Sequence, residues 1–120
     1  MFPWGYYIQH NRANYLSKLY TYPWDNSPTI GHHPAYNDGV TPYTGPAGSF
    51  APNGFGLYDV IGNVSEWCWD WYPGHESTFK RTKGGSWNAD ADTCRLQGNL
   101  VARPNGMHDG IGFRTVRSAE

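Results

Sequence analysis

From Val64 onward, apolar and polar positions alternate with period two. Ser65, Trp67, Trp69 and Trp71 fall on one side of an extended chain, and Glu66, Cys68, Asp70 and Tyr72 on the other. The alternation predicts a strand. Three indoles on one side are a large apolar load, so that side is expected to face a core, and the mixed side to lie near solvent or an ion. Gly54, Gly56 and Gly62 precede it and mark tight bends. A final strand is expected over residues 111–116. The one helix candidate is residues 11–20, and its apolar spacing is poor.

Elsewhere the pattern breaks down. Residues 1–35 are aromatic and punctuated by Pro3, Pro23, Pro28 and Pro34. Proline fixes its own backbone and biases the preceding residue to extended forms, which predicts ordered loop. Asn37-Asp38-Gly39 and Gly45-Pro46 carry turn chemistry. Residues 73–82 read as a polar loop, and residues 88–110 as polar and almost patternless. Between them the paired glycines of Gly84-Gly85-Ser86-Trp87-Asn88 mark a close approach of the backbone to something.

Composition sharpens this picture. A chain of 120 residues is expected to form one domain with its own core. Only 38% is hydrophobic, yet aromatics reach 17%, so large rings must fill the core between irregular segments. Fifteen glycines and nine prolines favour loops and short strands over helices. A net charge of −1 offers no support for nucleic-acid or membrane-surface binding. No apolar run approaches the ~18 residues of a membrane-spanning helix. Met1-Phe2-Pro3-Trp4 lacks the basic start and apolar stretch of a signal peptide, which leaves the compartment open.

Candidate chemistry follows from a few residues. Cys68 and Cys94 permit one disulfide, but two free, mostly buried thiols are the expectation. The five histidines show no metal-ligand spacing and read as solvated or loop-bonded. Asp59 and Glu66 flank a glycine-assisted turn, the oxygen-rich set Ca²⁺ prefers; taken alone, such a loop is more often a plain turn.

Three separated motifs, GLYDVIGNVSEWCWDWY, KGGSWNADADTC and GIGFR, resemble in this order the formylglycine-generating enzyme family, also called the sulfatase-modifying factor family. FPWG, RANY, YNDG and GSFAPNGFGLYD add to the resemblance, which covers essentially the whole chain. It implies a loop-rich, irregular α+β fold related to C-type lectins, with short antiparallel strands and little helix. Phe2-Pro3-Trp4-Gly5 resembles a motif near the middle of the family's domain. The chain is therefore expected to be a single domain, residues 1–120, lacking the family's N-terminal part. A half-complete domain leaves core uncovered, which predicts a homo-oligomer.

The resemblance also implies sites. The family's oxidase holds Cu(I) between two thiolates and converts a substrate cysteine to formylglycine; soft thiolates select that ion. Cys94 matches the second thiol and Ser86 the serine near the reaction centre, but Ala89 stands at the first thiol and Asp90 at the histidine that follows it. For calcium, the resemblance implies ligands at Asp59, Gly62, Val64 and Glu66, the middle two through carbonyls. A second set falls on Asn14, Tyr15, Asp38 and Val40, with Tyr15 and Val40 acting through carbonyls. The expected function is a non-catalytic, calcium-stabilised module binding a ligand or protein through residues 88–110. The alternative is the copper-dependent oxidase itself.

Overall fold

A computed structural model describes residues 1–119. Four short strands form one sheet: β1 (Ser65–Trp71), β2 (Lys80–Lys83), β3 (Leu100–Ala102) and β4 (Ile111–Gly112). Their order is β3-β2-β1-β4. β1 pairs antiparallel with β2, β2 antiparallel with β3, and β1 parallel with β4. The sheet is therefore mixed, and the expectation of antiparallel strands alone is corrected. No helix occurs among the described residues, so the helical half of the expected α+β description is not met. None is long and apolar enough to cross a membrane.

Residues 11–20 do not form a helix because their backbone donors are spent elsewhere. The N–H of Leu16 donates to the carbonyl of Ala89 at 2.9 Å, and that of Ser17 to Gly31 at 2.9 Å. Two tertiary bonds replace the local ladder that a helix would need.

The strand expected after Val64 is present, but its tryptophan side is not a core face. Ser65 is buried, Trp67 half-buried, Trp71 exposed, and Trp69 is 91% exposed. The register of β1 against β2 shifts between Trp67 and Trp71, and burial fades over the same stretch. There the indoles find a cation instead of a core. The Lys80 ammonium lies 4.9 Å from the Trp69 ring centre and 4.3 Å from that of Trp71. The final strand is shorter than expected, stopping at Gly112.

The core lies in the loops. Phe2, Ile8, Ala13, Tyr15, Ile61 and Cys94 pack together with Ala89 and Ala91, and Trp4, Tyr22 and Trp24 lean against them. The N-terminal loops are thus fastened to the segment after Gly85. Tyr15 also anchors a buried polar cluster: its hydroxyl donates to Asp25 at 2.6 Å, and Ser17 donates to the same carboxylate. Partnered polar groups of this kind let few apolar residues close the interior around Asp25.

Candidate functional site

An open cleft of about 400 Å³ lies between the sheet and the loop from Ser86 to Thr93. Strand pairing builds one of its walls. Ile111 lies beside Ser65, and Leu100 beside Thr82. Thr82 pairs with Trp67, two residues on from Ser65, so Ser65 and Thr82 share a face. Those four side chains line the cleft, and Ser86, Trp87, Asn88 and Ala89 line it from the other side. The 88–110 segment contributes much of the remaining rim, including His108 and Asp109.

Gly84 and Gly85 make this arrangement possible. Both hold positive φ, at 93° and 70°. A Cβ on Gly84 would lie 2.7 Å from the Val60 carbonyl oxygen, and one on Gly85 would collide with the Cys94 sulfur. The close approach expected from the paired glycines is therefore onto Val60 and Cys94.

Cys94 has no solvent exposure and is not among the residues lining the cleft. Its Sγ lies 3.9 Å from the Ala89 carbonyl oxygen. Burial pushes its thiol pKa far up, and the negative charges of Asp90 and Asp25 push the same way. Burial thus disfavours the thiolate, the form that binds metals and attacks as a nucleophile. Ala89 brings a methyl group to the cleft wall. One buried thiol and one methyl group do not fit a two-thiolate copper site. Both cysteines are free, as expected, with Cys68 half-buried.

Ser86 lines the cleft, with its Oγ 3.1 Å from where a Cβ on Gly110 would stand. Asp90 lies at one end. Burial pushes its carboxyl up, but hydrogen bonds from Thr93, Tyr22 and Lys18 outweigh that and hold it below the usual carboxylate range. The Lys18 ammonium is 3.3 Å from it. His32 meets Asn88 at 2.8 Å and stacks obliquely on Trp87, tying the N-terminal loops to this rim.

The first calcium set converges in part. Asp59, Val64 and Glu66 line a second cavity of about 450 Å³. Asp59 accepts a hydrogen bond from the Gly48 N–H. Both Glu66 oxygens accept from Arg114, at 2.6 to 3.0 Å, so a guanidinium already meets that carboxylate. Gly62 does not line this cavity; it packs against the Asn14 backbone, which leaves no room for a side chain. Asp59 and the Val64 backbone offer oxygens of the kind a hard cation takes, while Glu66 could join them only by leaving Arg114.

The second set is not drawn together by any described contact. Asn14 is fully buried, its Nδ2 donating to the Tyr43 carbonyl and to Asn63, while its Oδ1 has no partner. The Tyr15 carbonyl accepts from His10 at 3.0 Å. Asp38 and Val40 are exposed and bonded to each other, the Val40 N–H donating to Asp38. The unpartnered Asn14 oxygen is the one atom of this set whose surroundings ask for a cation or a water.

Sequence reasoning missed Lys18, Ser65, Thr82 and Leu100 as cleft residues. Lys18 is 72 residues from its partner Asp90, and no local pattern signals that separation. β2 and β3 are too short to display a period.

Comparison with known proteins bears on this arrangement. The family model for a sulfatase-modifying factor enzyme 1-like domain matches residues 1–119. A formylglycine-generating enzyme of Thermomonospora curvata is 35% identical over 78% of this chain and 41% of its own length. An inactive C-alpha-formylglycine-generating enzyme 2 of Bos taurus is 30% identical over 99% of this chain and 38% of its own. The chain thus spans about two fifths of the length of these relatives. Among solved structures, that of CarF is 36% identical and superposes with a TM-score of 0.57, covering 64% of this chain and 29% of CarF.

Proposed function

The chain belongs to the sulfatase-modifying factor enzyme 1-like family, and from that premise we propose that it is a non-catalytic, calcium-stabilised binding module. Its binding face is the cleft between the sheet and residues 86–93, rimmed by the 88–110 segment. One observation carries this reading: Cys94 is sealed beneath Gly85, and Ala89 presents a methyl group where the family resemblance places the first thiol. The frame that shapes the cleft is kept, while the groups that would activate oxygen are not. A family that includes a relative described as inactive accommodates such a loss.

Calcium enters through Asp59, Val64 and Glu66. An ion there would meet the Asp59 carboxylate, would have to draw Glu66 from Arg114, and would hold the turn that delivers β1 to the cleft. It supplies no chemistry to the cleft itself. The chain's own residues do the binding: Ser65, Thr82, Ser86 and Trp87 offer polar groups, and Leu100 and Ile111 an apolar surface.

The test is direct. Incubation with a cysteine-containing sulfatase peptide, Cu(I) and dioxygen is expected to give no aldehyde by mass spectrometry. Clear turnover would overturn the non-catalytic reading.

A further inference from the structure

Two side chains of the cleft wall carry polar atoms with no partner. Trp87 is 5% exposed and its Nε1–H meets no acceptor; Thr82 is 1% exposed and its Oγ1 is unpaired. Both residues line the cleft. Leaving a buried polar group unsatisfied costs ~1–3 kcal/mol, so each such group in a native fold calls for an explanation. Here both side chains line one concave space, with the two polar atoms beneath its accessible surface. An indole N–H can only donate, so what completes it must be an acceptor. Ser65 on the sheet side and Ser86 on the loop side add two hydroxyls to the same cleft.

Charge decides which acceptor. The charged side chains on the cleft are Lys18, Asp90 and Asp109, and Lys18 is already bound to Asp90. Among the described residues no lysine or arginine is left unpaired on the cleft, His108 is the titratable base among its lining residues, and Asp109 adds negative potential. A carboxylate or phosphate would enter against that field and give up its hydration without a counter-charge. An uncharged oxygen pays neither penalty. Beside Thr82 and Ser65 on the sheet side, Leu100 and Ile111 offer an aliphatic surface, which suits a ligand with an apolar flank. The volume, about 400 Å³, holds a small molecule or a single side group of a larger one.

Resting on the binding reading above, we propose that the cleft takes a neutral ligand group bearing a carbonyl or hydroxyl oxygen. That oxygen accepts from Trp87 Nε1–H and Thr82 Oγ1–H, while the ligand's apolar flank lies on Leu100 and Ile111. Amides and polyols share this chemistry, and separate probes distinguish them.

The experiment uses the full chain labelled with ¹⁵N. Trp87→Phe identifies the Trp87 indole resonance among the six tryptophans. N-methylacetamide, glycerol and acetate are titrated separately. A neutral probe is expected to move the Trp87 indole proton saturably downfield while the other indoles stay fixed, with acetate binding more weakly. Thr82→Val, nearly isosteric, is expected to weaken that response about fivefold, the equivalent of one hydrogen bond. Response to N-methylacetamide alone assigns an amide, and to glycerol alone a polyol; either supports the proposal. Silence of the Trp87 resonance with both neutral probes means that water alone fills the site, and it overturns the proposal. Acetate binding as tightly as the neutral probes overturns it too. Either failure leaves the non-catalytic reading intact, because that reading falls only if aldehyde forms.

Discussion

Gly85 is the residue on which the site turns. Its φ of 70° lies in the left-handed region, and its missing Cβ is what lets the Cys94 sulfur pack beneath the cleft. Gly85→Ala would meet that sulfur and also strain the backbone. Together the two effects are expected to cost about 2 kcal/mol or more in chemical denaturation. A variant as stable as the parent would mean that Cys94 does not pack there. The sequence showed that a close approach occurs at the glycine pair, because glycine is the residue such contacts require. It did not show onto what, since Val60 and Cys94 are brought there by tertiary structure alone.

At the scale of elements, β1 shows how far a period-two pattern reaches. The alternation of Ser65, Trp67, Trp69 and Trp71 located a strand, yet burial fades along it and Trp69 ends in solvent beneath Lys80. Periodicity reports which side chains share a face, and only the neighbours decide whether that face is covered. Trp69→Ala is therefore expected to cost no more than ~1 kcal/mol, the scale of an exposed cation–π contact. Truncating a core tryptophan costs ~3–5 kcal/mol instead, and a measured loss of that size would restore the buried-face expectation. β2 and β3, at four and three residues, left no readable pattern. The expected helix failed because Leu16 and Ser17 pair with distant loops, information that no local window contains.

Across the whole molecule, calcium and copper stand differently. Asp59 lines a cavity with Glu66, whose charge Arg114 already meets, and an ion bound there would stabilise only the folded state. The gain is ~2.7 kcal/mol at a hundredfold excess over Kd. Melting is expected to rise with calcium and fall with chelator. Asp59→Ala should blunt that response while leaving the Arg114–Glu66 pair in place. Metal-stripped protein that melts identically with and without calcium would end the idea. The motif resemblance made the family legible from sequence, because its fixed residues are close in the chain. The burial of Cys94 and the unpartnered donors of Trp87 and Thr82 depend on packing between separate segments, so they appear only in three dimensions.

If the reactive centre is gone while the cleft remains, as proposed, Cu(I) affinity measures it most directly. Titration of the reduced chain against a chromophoric Cu(I) chelator is expected to show no stoichiometric ion withheld by the protein. Ala89→Cys should then raise Cu(I) retention, because it places a thiol on the cleft wall above Cys94. One equivalent of Cu(I) held by the unaltered chain, and lost on Cys94→Ala, would contradict the account.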